Sequence, residues 1–377
     1  MPALSRPILG IAADAAGHHP AGWTQSSADP RTLLTAGYHV GLAQLAERGR
    51  FDFLTIADSF APGPETDATA SGRLDALLTA ARVGPVTRHI GLLPTVTTTH
   101  TEPFHVSKSL ATLDFVSLGR AGWQVEVSRT AAEAAHFGRK TVAPSDKLWS
   151  EASDAIDVVR RLWDSWEDDA EIRDAATGRF IDRDKLHYVD FSGEFFSVRG
   201  PSITPRPPQG HPLIAVRVDD PEAVAVAARW ADIVRTAAKD ITEAAAIRER
   251  VRAEIAANGR DPDEVAFLVD VATTVAETAA EATALDERLN ARKHFTPPGL
   301  TFVGGGAELA ERIEEWRAYV DGFTLSAAVL PQGLEAIVDH TIPVLTDRGI
   351  HPRAYPPGSF RERFGLRRPE NQYAEAT

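Results

Sequence analysis

Carboxylates, hydroxyls and histidines recur where short apolar runs end. Residues 8–13 (ILGIAA) are followed by Asp14 and the loop AAGHHPAGW, which carries His18, His19 and Trp23. Residues 51–57 (FDFLTIA) end at Asp58, and residues 90–96 run into the hydroxyl-rich stretch TVTTTHTEP. In WQVEVS, residues 123–128, Trp123, Val125 and Val127 fall on one side of a strand; Gln124, Glu126 and Ser128 fall on the other. The run at 213–218 finishes in RVDD. Groups of these types can bind a polar ligand, hold an anion or move a proton.

Each has a structural alternative. Asp58 is equally a turn former or helix cap, and Thr97–Thr99 a turn. His18 and His19 sit among Gly and Pro and are expected to be exposed rather than catalytic. Glu126 could pair with an arginine for purely structural reasons. VGGGAEL (303–309) is a Gly-rich lead into a helix. Helix N-termini attract anions, but this is not GxGxxG. His100 and His105 match no zinc spacing, so no metal is expected, and no Ser-His-Asp arrangement is legible.

What positions these groups is an alternation of elements. Strands are expected at 8–13, 51–57, 90–96, 123–128, 213–218, 233–236, 265–275 and 322–326. Helices are expected at 38–48, 74–83, 104–117, 147–166, 222–230, 241–258, 277–292, 308–319 and 334–348. Eight strands each followed by helix predict an α/β chain folded as a (β/α)₈ TIM barrel, with the active site at the strands' C-terminal ends. The polar side of the fourth strand then points into the barrel mouth. An open doubly wound sheet is the other candidate, but a clear Gly-rich fingerprint is lacking. A single barrel domain over 1–352 is expected, with an insertion at about 167–211 that is rich in Asp, Arg, Gly and Pro. The tail, 353–377, reads as irregular and able to wrap a neighbouring subunit.

The 377 residues carry a net charge of -13, which argues against nucleic-acid or anionic-membrane partners. The absence of cysteine excludes disulfides, thiolate nucleophiles and Cys-ligated metals. No run reaches the ~20 apolar residues of a membrane span, and the N-terminus does not read as a signal peptide, so a cytoplasmic protein is expected.

Several ordered stretches resemble the bacterial luciferase-like flavin monooxygenases, in particular the branch of the nitrilotriacetate, alkane and dibenzothiophene-sulfone monooxygenases. They are LAQLAERGRFDFLTIADS, TEPFHVSKSLATLDFVSLGRAGWQVEVS, GEFFSVRGP, RPPQGHPLI, FVGGGAELAERIEEW and DGFTLSAAVLPQGLEAIVDHTIPVL. The resemblance covers nearly the whole chain. It implies a two-component monooxygenase that takes FMN as FMNH2 from a separate NAD(P)H-flavin reductase. Oxygen adds to the flavin, and the resulting hydroperoxide oxygenates a small organic substrate. It also implies a homo-oligomer, a dimer or tetramer. By position, Asp58 would meet the flavin ring edge, Thr97 and Thr98 would line it, and Gln124 and Ser128 would contact it. His19 and Trp23 would lie on the substrate side. His100 is the candidate proton donor or substrate ligand.

Departures from the branch cluster at the FMN phosphate. Its Gln-Ala-Gly-Ser-Ser after the fifth strand is Val216-Arg217-Val218-Asp219-Asp220 here, and a later Gly is Ala223. The expected Tyr after the fourth strand is Trp149. Two carboxylates repel a phosphate; Arg217, turned inward, would offset them. An alternative is therefore a non-catalytic or flavin-poor subunit, since luciferase pairs a catalytic chain with an inactive homologue. A deazaflavin is a third possibility, but no basic pocket for its acidic tail is evident.

Overall fold

The computed structural model describes residues 6–63 and 72–374. Its central sheet contains eight parallel strands: β1 (Ile8–Ala12), β2 (Phe53–Ile56), β3 (Gly91–Thr97), β4 (Gly122–Glu126), β5 (Leu213–Arg217), β6 (Ile233–Thr236), β7 (Ala266–Ala276) and β8 (Gly322–Ala327). Each pairs with the next, and β8 returns to β1, with Ile8 opposite Gly322 and Ala12 opposite Ser326. The barrel is closed, so the open doubly wound alternative falls.

The helices include α1 (Ala36–Arg48), α2 (Ala76–Val83), α3 (Pro103–Val116), α4 (Ala131–Phe137), α5 (Ser145–Asp164), α6 (Pro221–Trp230), α7 (Ile241–Ala257), α8 (Ala279–Arg292) and α9 (Gly306–Trp316). Side-chain caps fix several starts: Thr35 accepts from Tyr38 N, Asp75 from Leu78 N and Thr278 from Glu281 N. An unexpected strand, Leu300–Gly305, pairs with the far end of β7 and supplies the Gly-rich lead into α9. The stretch expected as one helix at 334–348 is broken by a π turn over Ile337–Thr341, just ahead of Pro343. Proline lacks the N–H that a regular turn needs there.

Strand alternation sorts the barrel into layers. Outward residues such as Leu9, Ile11, Leu54, Trp123, Val216 and Leu325 join the helices in one core. Inward, the N-terminal half is apolar: Ile8, Phe53, Leu93, Leu213, Ile233 and Leu268 cluster together. Glycine makes room for the large rings there. A Cβ on Gly10 would come within 2.2 Å of the Phe53 ring, and one on Gly91 within 2.4 Å of Phe360.

The tail packs onto its own barrel. Phe360, Phe364 and Leu366 belong to the inner apolar cluster. Arg368 pairs with Asp168, and Gln372 donates to Asp164. The insertion consists of two small antiparallel hairpins, with strands Glu171–Asp174 and Arg179–Ile181, then Phe191–Ser192 and Ser197–Val198. Arg206, at its end, is buried against Asp164 at 2.8 Å. No helix among the described residues is long and apolar enough to cross a membrane.

Candidate active site

Above the apolar layer the barrel interior turns polar. Gln124, from β4, is 2% exposed, and its Oε1 accepts from Arg235 on β6 at 3.0 Å. The Arg235 guanidinium also reaches Asp270 on β7 at 2.9 Å. Arg217, at the end of β5, lies 3.7 Å from the other Asp270 oxygen and 2.6 Å from Asp219. Three strands thus contribute a charged chain, Arg217–Asp270–Arg235, that ends on Gln124. Burial opposes the charge on Arg217, but Asp270 and Asp219 more than offset it and raise its pKa. Asp14, after β1, accepts from Ala57 N at 2.7 Å. Burial pushes its carboxyl above the usual range.

A second group forms where β3 and β4 end. The Thr97 and Ser128 hydroxyls lie 3.3 Å apart, the Thr98 amide donates to the Glu126 carbonyl, and Thr99 Oγ1 accepts from Ser128 N. The Thr101 hydroxyl donates back to the Thr97 carbonyl. The polar face of β4 is thus split. Gln124 points into the barrel, Ser128 lies beyond the strand end, and Glu126 accepts from Arg129 at 2.8 Å in the following loop.

The remaining expected residues lie at other places on the rim. Asp58 is a clamp for the α2 start: its oxygens accept from Ser59 N, Ala76 N and Arg73 Nε. His100 has φ 69° and stacks on Phe137 of α4 at 4.8 Å. Burial, then Lys140, lowers its pKa. Trp23 lies in a short 3-10 turn, Gly22–Thr24. The histidine pair is not exposed as expected. His19 is buried, accepts from Ala21 N through Nδ1, and meets Phe295 edge-on at 5.6 Å. His18 donates from Nδ1 to the Ser326 carbonyl at the end of β8, and burial lowers its pKa to about 4. The loop folds inward because its backbone pairs with Ala327 and Ala328, which local Gly and Pro content cannot reveal.

Arg235 and Asp270 escaped the sequence reading. The signal was available: each is the one charged residue of its strand, at an inward position.

A family model described as "Luciferase-like monooxygenase" matches residues 15–329. The chain belongs to the luciferase-like monooxygenase family. It is 31% identical to nitrilotriacetate monooxygenase component A of Aminobacter aminovorans, over 97% of this chain and 98% of that one. It is 30% identical to N-acetyl-S-(2-succino)cysteine monooxygenase of Bacillus subtilis, at the same coverage. Among solved structures, the EDTA monooxygenase of Chelativorans sp. BNC1 superposes with a TM-score of 0.87 at 23% identity, covering 96% of this chain and 99% of that chain.

Within this luciferase-like monooxygenase, the loop after β5 meets the phosphate expectation with an anion of its own. Asp220 Oδ2 accepts from Ser145 Oγ at 2.7 Å and from Trp149 Nε1 at 3.0 Å. Arg129 lies 3.5 Å from the same oxygen, and Oδ1 accepts from Glu222 N at 3.3 Å. Asp219 is occupied as well, taking Ala237 N at 2.7 Å along with Arg217. A phosphate placed among these groups meets like charges, each at about 4 kcal/mol for unit charges about 4 Å apart at an effective dielectric constant of about 20. The phosphate end of FMN does not fit this loop.

Proposed function

We propose that this chain is the oxygenase component of a two-component flavin monooxygenase. A separate NAD(P)H-flavin reductase supplies the reduced flavin, FMNH2 in the family pattern, and O2 supplies the inserted oxygen. The substrate is a small organic molecule. A reductase that draws on NAD(P)H puts the pair in the cytoplasm. The observation that carries this reading is the polar mouth of a closed family barrel, lined at the β3 and β4 ends by Thr97, Thr98, Gln124 and Ser128 and flanked by the loop that carries His18 and the buried His19. Reduced flavin, when bound, would supply the oxygen chemistry; the chain's part is to bind, orient and keep water out. His18 and His100, both with lowered pKa, are uncharged at neutral pH and can accept hydrogen bonds from a substrate.

The test is an anaerobic titration with photoreduced flavin, followed by mixing with O2. Saturable binding, with reoxidation slower than that of free reduced flavin, supports the oxygenase. No saturable binding of any reduced flavin overturns it.

A second reading is a non-catalytic partner of a catalytic luciferase-like chain. The filled interior favours it, because Arg217, Arg235 and Asp270 occupy the space above the apolar layer. Co-expression with a related catalytic chain would then yield a stable hetero-oligomer whose activity exceeds that of the catalytic chain alone.

A further inference from the structure

We propose that the flavin accepted by this barrel ends in a neutral ribityl hydroxyl rather than in a phosphate, and that Asp220 sets this choice. The inference rests on the flavin reading above, but it concerns the tail of the ligand rather than the ring.

The geometry at the start of α6 is that of an occupied anion site. A hydroxyl (Ser145), an indole N–H (Trp149), a guanidinium (Arg129) and a first-turn backbone N–H (Glu222) all converge on the Asp220 carboxylate. Arg129 also lies over the Trp149 ring at 5.6 Å, which ties the donors to one another. Trp149 itself is 3% exposed, so its N–H has no ready alternative in solvent. These are donors that would suit a phosphate. The anion they hold is covalently part of the chain, and so competes at a high effective concentration that no dissolved phosphate matches.

Two further carboxylates flank Asp220 and add to the negative charge that it sets. The Glu222 carboxylate stands 3.4 Å from the Ser145 hydroxyl, and Asp219 sits one residue upstream. Arg217, the basic side chain nearest in sequence, already faces Asp219 and Asp270. Burial disfavours charge on Asp220, but hydrogen bonds from Glu222, Ser145 and Trp149 hold its carboxyl well below the usual range. It is therefore an anion at any physiological pH.

A ribityl hydroxyl reverses the sign of the interaction. It donates to a carboxylate, whereas a phosphate dianion only accepts. Selection against phosphate thus comes from a repulsive group placed where the competitor's charge must go.

The experiment is a pair of anaerobic titrations of the full chain, one with riboflavin and one with FMN, each photoreduced, repeated on Asp220→Ser and Asp220→Asn. Both replacements retain a capping oxygen for α6, so the helix start survives; a thermal melt checks this. The wild type should bind riboflavin at least tenfold more tightly than FMN, and added salt should narrow the gap. Asp220→Ser should raise FMN affinity at least tenfold and leave riboflavin within about threefold. Equal or tighter FMN binding by the wild type overturns the inference while leaving the flavin reading intact. A wild-type preference for riboflavin that survives both replacements removes Asp220 from the role. Failure of both flavins to bind any of the three proteins overturns the inference and the flavin reading together.

Discussion

Arg235 and Asp270 face each other across β6 and β7 inside the barrel, with Nε and Nη2 both within 3.0 Å of one carboxylate oxygen. The arginine is 7% exposed, and its third nitrogen donates to Gln124. Arg217 approaches the other oxygen of the same carboxylate. Removing Asp270 therefore leaves two guanidinium groups without their shared partner. Asp270→Leu should cost about 3–5 kcal/mol in urea unfolding, the range for stranding a buried charge. Adding Arg235→Met should return part of that loss, because the stranded charge goes with it. A double variant less stable than Asp270→Leu alone would show that Arg235 is held by other partners.

Asp58 carries two readings that one variant separates. Its carboxylate joins the β2 end to the α2 start through Ala76 N and Ser59 N and also meets Arg73. As a cap and loop clamp, Asp58→Ala should destabilise the fold by about 0.5–2 kcal/mol. Asp58→Asn, which keeps an acceptor, should recover most of it. If Asp58 also meets the flavin ring edge, reduced-flavin binding weakens in both variants, beyond what the stability change accounts for. Lost binding with unaltered unfolding would make Asp58 a ligand contact and leave the clamp without energetic weight.

The barrel was legible because its strands are short, mostly apolar runs separated by helical stretches, and residues 233–236 match the observed β6 end to end. The site was legible only in part. Gln124 stands on a strand whose period-2 pattern shows its face, and Ser128 continues that pattern just past the strand end. His18 and His19 were misjudged because their surroundings are supplied by the end of β8 and by Phe295, just past α8, some 270 to 310 residues away in sequence. Asp220 was recognised as a departure, but its partners were not. Ser145 and Trp149 lie 75 and 71 residues from it, and only the closed barrel brings them together. Pairings of that range leave no local pattern to read.

The tail should prove part of the barrel's stability. Phe360 is fully buried and lies over Gly91, with its ring tilted against Phe53 at 6.3 Å. Its side chain fills space that the inward glycines leave open. Phe360→Ala should cost about 3–5 kcal/mol, the range for a large ring removed from a packed core. Phe360→Leu should cost less, since it keeps most of the volume. The measurement is urea unfolding followed by tryptophan fluorescence. A loss below about 1 kcal/mol for the alanine variant would mean that the tail rests on the barrel without closing it.

His351 sets a pH dependence of known sign. It is 3% exposed, its Nε2 donates to the Gly49 carbonyl, and burial holds its pKa at about 4 against an ordinary value near 6.5. Between those values the unfolded chain binds a proton that the folded chain refuses. Stability is therefore fully present above about pH 6.5 and falls as pH drops towards 4, by up to about 3 kcal/mol from this group. Asp114 works in the opposite direction over part of the window. Burial raises its pKa to about 6, so the folded chain takes up its proton first and gains stability as pH falls from there. The two effects mask each other in the wild-type curve, so the readout is a difference. Unfolding free energies of the wild type and His351→Gln, which keeps a donor for Gly49, should diverge progressively in favour of the variant from about pH 6.5 down to about pH 4. Parallel curves across that window would show that His351 protonates without disturbing the fold.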